Sequence, residues 1–101
     1  PKPTAVLCGN DVLAAGALAR ASILGIRVPE DVSITGFDDI ELAEIVTPSL
    51  TTVRVPHHEM GRGAARALVA LRKGDDPGRS VKLDADITWR NSLGPAPDPD
   101  K

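Results

Sequence analysis

The sequence predicts an α/β fold built on a parallel sheet. Three observations carry the prediction. Residues 5–8 (AVLC) are a short, unbroken apolar run, as in a parallel strand covered on both faces. A stretch of helical character follows directly, and then residues 32–37 (VSITGF), rich in β-branched side chains, read as a second strand. Strand, helix and strand at this spacing make one βαβ unit with a right-handed crossover.

Each element has its own local cause. Gly9, Asn10 and Asp11 supply the turn and the cap of a helix over residues 11–24, which Gly25 stops. The middle of that helix, residues 14–19 (AAGALA), is made of small residues that allow close approach of another backbone. Pro29 breaks the connecting loop, and Asp38 and Asp39 close the second strand. Residues 40–46 are expected to form a short helix ended by Thr47-Pro48. Residues 50–55 (LTTVRV) make a third strand candidate. Pro56 opens the longest helix, residues 57–73, in which Met60, Ala64, Leu68 and Leu71 recur at helical spacing as a buried stripe. Glu59 near its start and Arg72 and Lys73 near its end suit the helix dipole, and Gly74 terminates it. Residues 81–83 and 87–90 are strand-like, and the Pro-rich end from Gly94 reads as a frayed tail.

Composition narrows the function. The chain has 101 residues, 42% hydrophobic and 26% charged, an ordinary globular composition. No apolar run approaches the roughly 20 residues of a membrane helix. There is no basic segment followed by an apolar stretch at the start, and no membrane partner is expected. Cys8 is the single cysteine and reads as a small core residue in a reducing, cytoplasmic setting. A formal charge of −2 with scattered arginines argues against this piece gripping nucleic acid by itself. The chain starts at Pro1 and reaches a strand-like run within a few residues, so it reads as a fragment.

Chemistry is expected at the carboxyl ends of the parallel strands, where open α/β sheets collect ligands. Asn10-Asp11 follow the first strand and Asp38-Asp39 the second. An amide that donates and accepts, beside a carboxylate that accepts from hydroxyls, suits a polyol, a sugar or the polar edge of a base. The same residue types also cap helices, and each alone is equally well explained that way. Catalysis is not expected: no nucleophile and base accompany the carboxylates, and Ser33 is in no G-x-S-x-G turn. His57-His58-Glu59 lacks H-E-x-x-H spacing, so neither a metal nor another cofactor is expected.

The linked motifs resemble those of LacI-family transcription regulators. GND at residues 9–11, LGIRVPEDVSITGFDD at 24–39, TPSLTTVRVP at 47–56 and ITWRNS at 87–92 occur in the family's order and spacing, covering nearly the whole chain. The resemblance implies a type I periplasmic-binding-protein-like domain of two α/β subdomains with an effector between them, present here in part. It implies that residues 1–54 belong to the C-terminal subdomain. Residues 55–90 would form a crossover helix and strand of the N-terminal subdomain, and residues 91–101 a tail. The helix face around Met60, Leu68 and Leu71 would then lie uncovered.

By position, Asn10 and Asp38 match family residues that hydrogen-bond the effector, and Val55 and His57 fall where the family often touches it. Val55 departs from the polar glutamine of some sugar-responsive members. The resemblance also implies a homodimer, with Ala14, Ala17, Leu18 and Ala21 of the first helix and Leu42 and Ile45 of the short one at the interface. Operator DNA would be bound only through a helix-turn-helix outside this sequence. A sugar-binding transporter component, which shares the fold, is the alternative.

Overall fold

The computed structural model describes residues 2–78 and 81–100. The chain divides into two compact units, one of residues up to Arg54 together with those from Asp86 onward, the other Val55–Ala85.

In the first unit, β1 (Ala5–Leu7) pairs in parallel with β2 (Ser33–Thr35), placing Leu7 opposite Thr35. The crossover between them is α1 (Asp11–Ile23). Asn10 caps α1, its Oδ1 accepting from the Leu13 N–H at 2.8 Å. The helix ends where Gly25 turns to φ 71°, a conformation that costs glycine nothing. There the Ile26 N–H reaches Ala21 O at 2.9 Å and the Gly25 N–H reaches Ser22 O at 3.2 Å, so two of the orphaned carbonyls are satisfied.

Ala14, Leu18 and Ala21 recur at helical spacing and are buried. Ala14 and Leu18 meet Ile34 of β2, Ala43 of α2 (Leu42–Ile45) and Leu50 in one core, against which Cys8, Ala17, Val28, Val32 and Val46 pack. Burial of Leu50 or Ile34 contributes about 1.5–3 kcal/mol each by removing apolar surface from water. The rest of the unit is β3 (Thr52–Arg54) and β4 (Asp86–Thr88), an antiparallel pair with Val53 opposite Ile87. Isolated parallel bridges join Thr35 to Thr51 and Asp38 to Arg54, so β3 continues the sheet from the end of β2.

Several expectations need correction. The run at residues 5–8 was expected to be covered on both faces, yet β1 is exposed, with Leu7 80% accessible. The core gathers around Ile34 of β2, and β1 contributes no buried side chain to it. The third strand is shorter than residues 50–55, because Leu50 turns inward as a fully buried core residue. Residues 81–83 form no strand, and Val81 is exposed. The last strand does not leave with the long helix: β4 pairs with β3 and belongs to the first unit.

Nor does a tail begin at residue 91. The N–H groups of Asn91 and Ser92 both donate to Ser49 O, at 3.1 and 3.0 Å, and the Ser92 side chain is fully buried. Its hydroxyl accepts from the Thr51 N–H and donates to Ile34 O, stitching the returning chain into the core. Ser33 Oγ exchanges hydrogen bonds with the backbone of Gly94.

The second unit is built on α3 (His57–Arg72). Its end repeats the device of α1: Gly74 takes φ 80°, with the Asp75 N–H on Ala70 O at 2.9 Å. The stripe of Met60, Ala64, Leu68 and Leu71 is not buried; no α3 residue is, because among the described residues of this unit no other helix or strand packs on it. No helix among the described residues is long and apolar enough to cross a membrane.

Candidate functional site

The parallel register sets the site. Asn10 and Asp38 each lie three residues beyond a paired residue, Leu7 and Thr35 respectively, so both emerge at the same end of the β1–β2 pair. The loops that carry them are joined directly. The Cys8 N–H donates to Thr35 O at 2.8 Å and the Asp11 N–H to Phe37 O at 3.1 Å. This is the carboxyl-end rim where α/β sheets bind ligands.

Asn10 caps the helix. Its Oδ1 accepts in the helix cap, which leaves the amide N–H2 as a donor. Asp38 differs. Its backbone sits at φ 108°, where a side-chain-bearing residue is strained, and its N–H is held by Val53 O at 2.9 Å. Among the described residues its half-buried carboxylate has no hydrogen-bond partner. An unpaired carboxylate at a sheet end is an acceptor for hydroxyl or amine donors.

The sequence placed Asp11 and Asp39 at this rim but did not show the contacts that hold it together. Asp11 is fully buried at the first turn of α1. Its Oδ1 accepts from the Thr52 hydroxyl at 2.6 Å and its Oδ2 from the Ile40 N–H at 2.7 Å, so it ties α1 to β3 and to the loop after Asp39. Gly36 makes room for it, since a Cβ there would land on the Asp11 carboxylate and 2.8 Å from Leu50 Cδ2. The glycine before Phe37-Asp38 was the available signal: a glycine in a strand often marks a close approach of another group.

Asp39, at φ 58°, accepts from Arg90 Nη1 at 2.7 Å and from Arg54 Nε at 3.0 Å, with the Thr88 hydroxyl at 3.5 Å. Arg90 also donates to Leu50 O at 3.0 Å and approaches Glu44 at 3.5 Å. Burial pushes the Asp39 carboxyl up, but the hydrogen bonds and charges of Arg90 and Arg54 outweigh it and hold its pKa below the ordinary value. Burial raises the Cys8 thiol, which fits a packing residue rather than a nucleophile.

Val55 and His57 belong to the second unit, where the His57 N–H donates to Val55 O at 2.8 Å and His57 is exposed. The residues expected at a dimer interface divide sharply. Ala14, Leu18 and Ala21 are buried within their own chain and Ala17 packs against that core, so this face of α1 is already taken. Small residues suit intrachain packing as well as they suit a partner. Leu42 is half-buried and Ile45 exposed.

A family model described as the periplasmic binding protein-like domain matches residues 1–93. The chain is 43% identical over 96 residues to the HTH-type transcriptional repressor CytR of Escherichia coli (strain K12), covering 94% of this chain and 28% of the repressor. Among solved structures, a LacI family transcriptional regulator from Bifidobacterium animalis subsp. lactis superposes with a TM-score of 0.89 at 34% identity, over 95% of this chain and 35% of that one. A LacI family regulator from Arthrobacter sp. FB24, in complex with lactose, matches with a TM-score of 0.79 at 37% identity, over 90% of this chain and 36% of that one.

The chain therefore belongs to the periplasmic binding protein-like domain family. Within that family it is the form of the domain found in LacI-family regulators, and it spans about a third or less of the relatives it matches.

Proposed function

We propose that the chain is part of the effector-sensing domain of a LacI-type transcription regulator that acts in the cytoplasm. A small polar metabolite of the sugar class binds at the rim, with Asp38 accepting from its hydroxyls and the Asn10 amide donating to it. The observation that carries this reading is the state of Asp38: strained at φ 108°, unpaired among the described residues, and set at the same sheet end as Asn10. The lactose bound to the Arthrobacter relative supports the choice of a saccharide over other polyols.

In the intact protein, operator DNA is held by a segment outside this sequence, and effector binding changes operator affinity by favouring one of two conformations. The regulator works as a homodimer, with Leu42 and Ile45 of α2 among the contacts; its role is regulatory rather than catalytic.

Isothermal titration of the intact protein with mono- and disaccharides and nucleosides tests the ligand class. At least one saccharide is expected to bind, and Asp38→Ala to weaken it by tenfold or more, the loss of one to two hydrogen bonds to a charged acceptor. Binding by nucleosides alone, or an unchanged affinity in Asp38→Ala, would overturn the reading.

A further inference from the structure

Asp38 and Asp39 are consecutive residues with side chains, and both hold positive φ, 108° and 58°. Each such conformation costs on the order of 1–3 kcal/mol and persists only where the surroundings over-determine it. The backbone of Asp38 is tied to β3 by its N–H bond to Val53 O and by the parallel bridge to Arg54. The neighbouring side chain adds a further constraint. The Asp39 carboxylate, 6% exposed, is clasped by Arg90 at 2.7 Å and Arg54 at 3.0 Å. Arg90 is itself only 12% exposed and is fixed by Leu50 O.

The two arginines come from different places in the chain. Arg54 is the last residue of β3 and of the first unit before the chain leaves for Val55–Ala85. Arg90 lies just past β4, the strand on which the chain returns, and Thr88 of β4 also points its hydroxyl at Asp39. A single carboxylate thus gathers the departing and returning strands beside Asp38.

We infer that Asp39 is the positioning residue of the effector site, its clasp of Arg54 and Arg90 holding Asp38 in the strained geometry that presents its carboxylate. The inference rests on the reading of Asp38 as an effector contact. It assigns to Asp39 no contact with the ligand.

Backbone amide exchange of the intact protein, followed by NMR without any ligand, tests it. Asp39→Asn and Asp39→Gly both tolerate positive φ, so Asp39→Gly removes the clasp and Asp39→Asn removes its charge without adding backbone strain. Asp39→Gly is expected to speed exchange of the Asp38 N–H by tenfold or more and Asp39→Asn several-fold, while the Ile34 N–H in the core keeps its wild-type rate. Arg54→Met, at a side chain 62% exposed, spares the fold and is expected to speed Asp38 exchange several-fold. Wild-type exchange at Asp38 in these variants would overturn the inference, and so would a parallel rise at Ile34, the mark of a merely structural residue. Titration of Asp38→Ala with lactose tests the underlying reading separately, so the two failures are distinguishable.

Discussion

Asp11 offers the sharpest test of how the rim is held together. Its carboxylate is fully buried and accepts from the Thr52 hydroxyl and the Ile40 N–H, at 2.6 and 2.7 Å. Hydrogen bonds to a charged acceptor contribute about 1.5–3 kcal/mol each, against about 0.5–1.5 for neutral pairs. In Asp11→Asn the amide oxygen keeps the Ile40 N–H, and the Thr52 hydroxyl rotates to accept from the amide nitrogen. Two charged bonds become two neutral ones, a loss of about 2 kcal/mol.

Asp11→Ala loses both bonds and strands the buried Thr52 hydroxyl, for about 4 kcal/mol. Adding Thr52→Val removes the stranded donor, so the double variant should recover about 1–2 kcal/mol relative to Asp11→Ala. Urea denaturation followed by far-ultraviolet circular dichroism reads these values as shifts in midpoint at constant slope. If both single variants fell within about 0.5 kcal/mol of wild type, as ordinary surface substitutions do, the strut would carry no load and the reasoning would fail.

Further outcomes follow from the same packing. Gly36→Ala places a methyl on the Asp11 carboxylate and 3.1 Å from Asp11 Cα, so it should destabilise by about 2–3 kcal/mol in the same denaturation assay. Ser92→Ala removes the acceptor of the Thr51 N–H and the donor to Ile34 O inside the core, for about 2–4 kcal/mol, whereas a frayed tail would give no change. Asp39 has a folded pKa below its unfolded value, so its clasp contributes fully above the unfolded carboxylate range, near about 4. That contribution is lost as pH falls through the lower folded pKa, because the unfolded chain takes up the proton first. Denaturation midpoints measured downward from neutral pH should fall in that acid window, and Asp39→Asn should flatten the fall. Ile45→Asp should weaken self-association in sedimentation, because it puts a charge on an exposed apolar residue of α2.

Much of this was legible in the sequence because it was local. The AVLC run, the Asn10 cap, the Gly25 and Gly74 stops and the β-branched run before Asp38 each specify their structure within a few residues, and the family motifs fixed Asn10 and Asp38 at one sheet end. What escaped was long-range. Asp11 reads as an ordinary first-turn carboxylate until Thr52, 41 residues away, is seen to reach it. Ser92 reads as part of a polar tail until Ser49 and Ile34 are found around it. What covers α1 and α3 is long-range in the same way. Periodicity finds an apolar stripe, but whether the stripe is covered depends on elements far away in the chain. Ala14 and Leu18 have such neighbours, while Leu68 and Leu71 have none among the described residues of their unit.

The proposed function holds that occupancy of the rim at Asp38 governs DNA binding by the intact protein. Its most direct test is the affinity of wild type and Asp38→Ala for a selected operator DNA, measured by fluorescence anisotropy with and without a saturating saccharide. Wild type should shift its operator affinity on adding the saccharide. Asp38→Ala should bind the operator as wild type does without saccharide and shift little or not at all. An Asp38→Ala protein that responded to the saccharide as fully as wild type would contradict the account.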